Sequence, residues 1–178
     1  MFIALAGPMG SGKSTVSRAL AERLGAKILA FGDYVRFCAT DHGLDASNRA
    51  VLQDLGERLV ATDPVAFVRD AVLWVGHQPG DLIVLDGVRH AIVWDAISAI
   101  SRETAERTLL IYLDVPADER ADRLRSRGIS DDAIAGFNAH PSELHLEQRL
   151  SPKADIRLDS RQPLPTLVDS VLRSLKSM

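Results

Sequence analysis

The segment Gly7-Pro8-Met9-Gly10-Ser11-Gly12-Lys13-Ser14 stands directly behind the apolar run Phe2-Ile3-Ala4-Leu5-Ala6, and nothing else in the chain restricts its fold as tightly. A short apolar run that ends on a glycine reads as a buried strand. The chain then turns at Gly10 and Gly12, and an amphipathic pattern begins near Lys13. In such a strand, loop and helix unit the loop N–H groups and the helix N-terminus converge on one anion. The G-x-x-x-x-G-K-[ST] spacing therefore predicts a polyphosphate cradle. Lys13 would reach the β- and γ-phosphates, and the Ser14 hydroxyl would ligate a Mg²⁺ ion bridging them. Gly7, Met9, Gly10, Ser11, Gly12 and Thr15 complete the predicted cradle. A plain glycine-rich turn would not need strand, spacing, lysine and serine together.

Further apolar runs at 27–31, 82–85 and 108–113 are short and rich in Ile, Leu and Val, with helical patterns between them. Runs of this kind suit strands buried on both faces, so the alternation predicts a parallel sheet. Ile156 and Leu158 alternate with polar neighbours and predict a short fifth strand at an edge. Val16, Ala19, Leu20 and Leu24 share one stripe of a first helix that stops at Gly25. Leu164, Leu167, Val168, Val171, Leu172 and Leu175 share one stripe of a last helix. The expected fold is α/β: a three-layer α/β/α sandwich around a five-stranded parallel sheet. The less regular stretches, roughly 40–62 and 128–152, are expected to be mobile substrate flaps.

At 178 residues and 46% apolar content the chain has room for one α/β domain and none for a second. A net charge of −3, without runs of like charge, gives no footprint for binding nucleic acid through counterion release. The single cysteine, Cys38, excludes an internal disulfide, and the five histidines are scattered, so a structural zinc site is not expected. With no apolar stretch near eighteen residues and no basic leader, the reading is a cytoplasmic protein without membrane contact. Its partners are expected to be small molecules, and its state a monomer or homodimer.

Two segments follow the carboxyl ends of strands, where ligands bind in open parallel sheets. Past the second comes Phe31-Gly32-Asp33-Tyr34-Val35-Arg36, and past the third Leu85-Asp86-Gly87-Val88-Arg89-His90. With the phosphate loop, these segments resemble the nucleoside monophosphate kinase superfamily, the adenylate-kinase-like branch of phosphate-loop proteins. The resemblance implies ATP and Mg²⁺ as cofactors. It makes Arg36 and Arg89 ligands of an acceptor phosphate, and Asp86 the carboxylate that orients Mg²⁺ through water. A guanidinium fork suits such a phosphate because it holds two oxygens at once. Asp86 as a helix cap, and either arginine in a structural ion pair, are the plainer alternatives.

In Glu119-Arg120-Ala121-Asp122-Arg123-Leu124-Arg125-Ser126-Arg127, helical spacing puts Arg120, Arg123 and Arg127 on one face. Such a stripe is commonly a solvated face laced with Glu119 and Asp122. In the resembling kinases an Arg-x-x-x-Arg pair here enters the lid and touches the donor nucleotide, and Arg123 and Arg127 match that spacing. The predicted lid, about 128–152, lacks zinc-binding cysteines and is similar to that of dephospho-coenzyme A kinases. Arg149, at its return, has donor phosphates and plain surface as alternatives. Arg49 and Gln53, one helical turn apart, and the loop His140-Pro141-Ser142-Glu143 resemble phage-type deoxynucleoside monophosphate kinases. That resemblance implies contact of Arg49 and Gln53 with an acceptor base or sugar, against a reading as one polar helix face.

The organisation expected is thus one kinase-like domain over 1–178, with an acceptor flap at about 32–62 and a lid at about 128–152. A monophosphate acceptor offers an anionic oxygen and needs arginines, whereas a ribose hydroxyl benefits from a carboxylate that takes its proton. Asp33 stands where such a base would act. Arg36 with Arg89 favours transfer to a nucleoside or deoxynucleoside monophosphate, with dephospho-coenzyme A as runner-up. A nucleotide switch or plain NTPase would use the same loop, but no residue pattern for orienting water is evident. A module that binds nucleotide without turnover has no use for a second phosphate pocket.

Overall fold

A computed structural model of the chain describes residues 1–139 and 146–177. Its strands are β1 (Phe2–Ala6), β2 (Lys27–Ala30), β3 (Ile83–Asp86), β4 (Thr108–Asp114) and β5 (Ile156–Asp159). They form one five-stranded sheet in the order β2-β3-β1-β4-β5, with every pairing parallel. Alternation along the strands divides the core in two. Phe2, Ala4, Ala6, Ile83, Leu85 and Leu110 belong to one cluster. It also holds buried residues of α2 (Phe31–Asp41), α3 (Arg49–Thr62), α4 (Pro64–Trp74) and α5 (Ala91–Glu103). Ile3, Leu5, Val84, Leu109 and Ile111 pack with α1 (Lys13–Leu24) and α8 (Leu164–Ser177). Both faces of the sheet are covered, which is why the strands read as unbroken apolar runs.

Three boundaries depart from the sequence reading. The expected strand over 27–31 stops at Ala30, because Phe31 opens α2 and turns its ring onto Phe67 at 5.4 Å. The expected strand over 82–85 is shifted one residue on, so Asp86 closes β3 opposite Leu5 of β1. The stretch 40–62, expected to be irregular, is helical from Arg49 onward. Asn48 Oδ1 caps α3 by accepting from Ala50 N at 3.0 Å, and Asp63 Oδ1 caps α4 by accepting from Ala66 N at 2.9 Å.

The region expected to be a lid is also partly regular. α6 (Ala117–Arg125) and α7 (Asp131–Ala139) occupy its approach and its first half. Its return is fastened down, because Leu146 and Leu150 of a π-helical turn are fully buried in the α2–α5 core. The loop His140-Pro141-Ser142-Glu143 lies outside the described residues.

Candidate active site

The loop between β1 and α1 depends on glycine at positions with distinct reasons. Gly7 has φ 143°, and a Cβ there would stand 2.6 Å from the Leu113 carbonyl oxygen, a contact no side chain tolerates. Gly10, at φ 85°, is wedged against α6, where a Cβ would meet Arg120 Cγ at 3.0 Å. Gly12 also has a left-handed φ, 88°, yet a Cβ there would meet nothing within 4 Å. Backbone conformation alone therefore selects Gly12, and the space beside it stays clear for a ligand. Lys13 is buried, and its ammonium donates to the carbonyls of Gly7 at 2.7 Å and Pro8 at 2.9 Å. Ser14 and Thr15 are exposed at the start of α1.

A single cleft of about 1280 Å³ runs from this loop along the carboxyl ends of β1, β2 and β3. It brings Lys13 and Ser14 together with Asp33 and Arg36 of α2, Asp86 and Arg89 after β3, and Arg127 beyond α6. Arg49 and Gln53 of α3 form the facing wall, and Arg49 Nη2 reaches across to Met9 Sδ of the loop at 3.3 Å. Arg36 is ion-paired with Asp33 one helical turn earlier, both side chains being more than half exposed. Below them Phe67 meets both Phe31 and Tyr34, ring to ring, and Phe31 and Phe67 line the cleft as its apolar floor.

Glu57 was not singled out by sequence reasoning, yet it lines the same wall. The signal was present: Arg49, Gln53 and Glu57 recur every four residues, and only the first two had been read as a pair. The arginine stripe is corrected in the other direction. α6 ends at Arg125, so Arg127 lies past the helix and shares no helical face with Arg120 and Arg123. Arg127 lines the cleft, and Arg123 does not. Arg123 donates to Ser160 O at 3.0 Å, Ser160 Oγ at 3.1 Å and Glu119 Oε1 at 3.0 Å. It thus ties α6 to the loop after β5. In that loop the Arg161 guanidinium holds the Asp159 carboxyl down at about 2. Arg149 is exposed on the π-helical turn and is absent from the cleft wall.

Residues 3–145 match the family described as the AAA domain. The chain belongs to this family of phosphate-loop proteins. The cytidylate kinase of Nocardia farcinica is 35% identical to it over 78% of this chain and 60% of the relative. The adenylate kinase of Mycolicibacterium vanbaalenii is 32% identical over 74% of this chain and 73% of the relative. The chain spans only about half to 60% of the length of the cytidylate kinases it matches. Among solved structures, shikimate kinase from Bacteroides thetaiotaomicron superposes with a TM-score of 0.62 at 17% identity, covering 99% of this chain and 98% of that one. At that identity the likeness speaks for the fold, an α/β sandwich of phosphate-loop type.

In this AAA-domain chain the residues fit a hydrated Mg²⁺ ion brought by a polyphosphate. Asp86 is buried, and its Oδ1 has no hydrogen-bond partner among the described residues. A buried carboxylate oxygen left so is costly unless something positive or a water satisfies it. Asp86 and the Ser14 hydroxyl both line the cleft, and both offer the hard oxygen donors Mg²⁺ prefers. Among the described residues no group of three or more His, Cys, Asp or Glu side chains could hold a metal alone. An ion here would rely on phosphate oxygens and water for its remaining ligands. No helix among the described residues is long and apolar enough to cross a membrane.

Proposed function

We propose that this protein is an ATP-dependent phosphotransferase that moves the γ-phosphoryl group onto a nucleoside or deoxynucleoside monophosphate. The observation that carries the reading is the cleft itself. One continuous space joins a complete phosphate loop to a second set of cationic side chains, Arg36 and Arg89, on the neighbouring strand ends. A protein that only bound or hydrolysed ATP would need the first set alone. Relatives named cytidylate kinase and adenylate kinase support the same class of acceptor.

In this reading the backbone from Gly7 to Thr15 cradles the ATP phosphates. Lys13 leaves the Gly7 and Pro8 carbonyls to meet the β- and γ-phosphates. Ser14 and Asp86 would hold Mg²⁺, which when bound neutralises charge on the polyphosphate. Arg36 and Arg89 pin the acceptor phosphate so that one of its oxygens faces the γ-phosphorus in line with the leaving oxygen. The bond from that phosphorus to the β–γ bridging oxygen breaks, a bond to the acceptor oxygen forms, and ADP departs. A monophosphate oxygen is already anionic, so no base is required, and Asp33 serves by orienting Arg36. Arg127 completes the positive surround of the donor, while Arg123 shapes the donor side through the loop at Ser160.

The chain acts as a single domain, with α2 and α3 as the acceptor flap and the segment from Gly128 onward as the lid. Closure of the two excludes water and suppresses wasteful hydrolysis. The assignment extends to a cytoplasmic monomer or homodimer without nucleic-acid or membrane partners.

The test is ADP release from MgATP with a panel of ribo- and deoxynucleoside monophosphates and dephospho-coenzyme A, each against a blank without acceptor. Acceleration of at least about tenfold by one or more monophosphates is expected. Acceleration by dephospho-coenzyme A alone would move the assignment to a ribose hydroxyl and give Asp33 a proton to take. Acceptor-independent turnover would make the protein an NTPase.

A further inference from the structure

Helix α3 turns two adjacent stripes toward the cleft. Arg49, Gln53 and Glu57 form one; Leu52, Gly56 and Val60, each one position off, form the other, and all six line the same space. Gly56 is the anomaly among them. It sits in the interior of a helix that runs from Arg49 to Thr62, where glycine is less stable than alanine. It does not adopt a left-handed φ, and among the described residues a methyl group there would meet Val35 outside its own helix backbone, at 3.5 and 3.8 Å, which is ordinary contact. Packing of α3 on α2 therefore does not require glycine. Glycine leaves this point of the cleft wall without a side chain, and the same cleft is lined by the apolar Val35, Leu52 and Val60 and by the polar Gln53 and Glu57. An apolar wall that also carries a few polar groups suits a flat heteroaromatic ring.

The polar pair is chemically selective. A carboxylate accepts hydrogen bonds and donates none, whereas an amide does both. A ring edge carrying an amino group beside an unprotonated ring nitrogen gives Glu57 a donor and gives the Gln53 amide an acceptor. Cytosine and adenine both have such an edge. Uracil and hypoxanthine put a carbonyl oxygen in place of the amino group, where it would face the Glu57 carboxylate with no proton between them. Glu57 and Gln53 are exposed in this structure; once a bound base covers them, such a mismatch discriminates more strongly than size does.

We propose that Glu57, beside the bare backbone of Gly56 in the same cleft wall, is a specificity-determining residue that selects an acceptor monophosphate whose base presents an amino group over its oxo counterpart. The inference rests on the kinase reading above. It concerns which base is accepted, not whether transfer occurs.

Steady-state kcat/KM is measured for two near-isosteric pairs, CMP against UMP and AMP against IMP, with wild type, Glu57→Gln and Gly56→Ala. In whichever pair the wild type uses, the amino member is expected to lead by at least about 100-fold. Glu57→Gln can donate to the oxo group, so it should shrink that ratio at least about tenfold with the Kd for MgATP unchanged. Gly56→Ala should raise acceptor KM at least about fivefold while Tm holds or rises, the opposite of what a packing defect would do. An oxo member used as well as its amino partner, a ratio untouched by Glu57→Gln, or a Gly56→Ala enzyme with unchanged acceptor KM would each overturn the proposal while leaving the kinase reading intact. If no monophosphate accelerates ADP release, the kinase reading falls and this inference falls with it.

Discussion

The two edges of the sheet treat charge in opposite ways. At the amino ends of the strands, Glu106 is nearly buried, with 6% of its side chain exposed, and its oxygens collect donors. The Met1 ammonium approaches at 2.7 Å and Thr104 Oγ1 at 2.8 Å, with His77 Nε2 at 3.4 Å. Lys27 and Asp81 pair beside them at 2.7 Å. At the carboxyl ends, Asp86 Oδ1 is buried without a partner among the described residues, and Lys13 rests on backbone carbonyls. Arg36 is paired with an exposed aspartate. One edge spends its charges on holding the fold together. The other keeps them poised for something that arrives, which is how functional sites give up local stability.

The largest test of this contrast is Lys13→Ala. It removes a charge that donates to two carbonyls of its own loop, and the fold is expected to lose about 1 kcal/mol. Phosphoryl transfer should fall at least about 10³-fold, roughly 4 kcal/mol of transition-state stabilisation. Thermal unfolding and single-turnover kinetics on one preparation check both halves. A variant keeping most of its activity, or one that no longer folds, would break the contrast.

Glu106→Gln should do the reverse. Burial alone would raise the pKa of Glu106, but the bonds from the Met1 ammonium and Thr104, together with His77, outweigh it, and the carboxyl titrates below the usual glutamate value of 4.5. The amide keeps the shape and loses the charge, leaving the ammonium without its counterion. We expect a loss of about 2 kcal/mol, a drop in Tm of about 4–8 °C, and unchanged kcat at 25 °C. The pH dependence follows from the depressed folded pKa. The stabilisation from ionised Glu106 is fully present above pH 4.5 and is lost as pH falls through the lower, folded value. The Tm gap between wild type and variant should therefore close in acid. A gap that persisted at low pH would mean that packing rather than charge sets it.

The same contrast explains what the sequence disclosed. The phosphate loop was legible because its residue pattern is contiguous: the left-handed φ values of Gly10 and Gly12 and the bonds of Lys13 to the Gly7 and Pro8 carbonyls all fall within a few positions, although the crowding at Gly7 comes from Leu113 of β4. The sheet was legible because strands covered on both faces leave unbroken apolar runs. α3 was legible only in part: Arg49 and Gln53 read as one helical turn apart, but Gly56 interrupts a run that is otherwise helical and weakens the local pattern. The place of Arg123 was not legible, because its partner Ser160 is 37 positions away and reached only through the pairing of β4 with β5. The overlooked Glu57 shows the converse: its helical period was visible, but a polar stripe reads equally well as solvent-facing until a wall is known to stand opposite.

Asp33→Asn has the smallest expected effect and the sharpest meaning. The Asp33 and Arg36 side chains are 62% and 54% exposed, and a solvated pair of that kind contributes about 0–1 kcal/mol to stability. Losing it should move Tm by no more than about 3 °C. If the acceptor is a phosphate oxygen, Asp33 has no proton to remove, and kcat should stay within about threefold of wild type. Asparagine still accepts a hydrogen bond from Arg36, so the guanidinium remains oriented toward the acceptor pocket. Were Asp33 the base for a hydroxyl acceptor, the same substitution would lower kcat by about 10²–10⁴-fold, with loss of the acidic limb of its pH profile. An exposed carboxylate at the carboxyl edge is thus dispensable for the fold in either case, and kcat alone decides whether it orients an arginine or takes a proton.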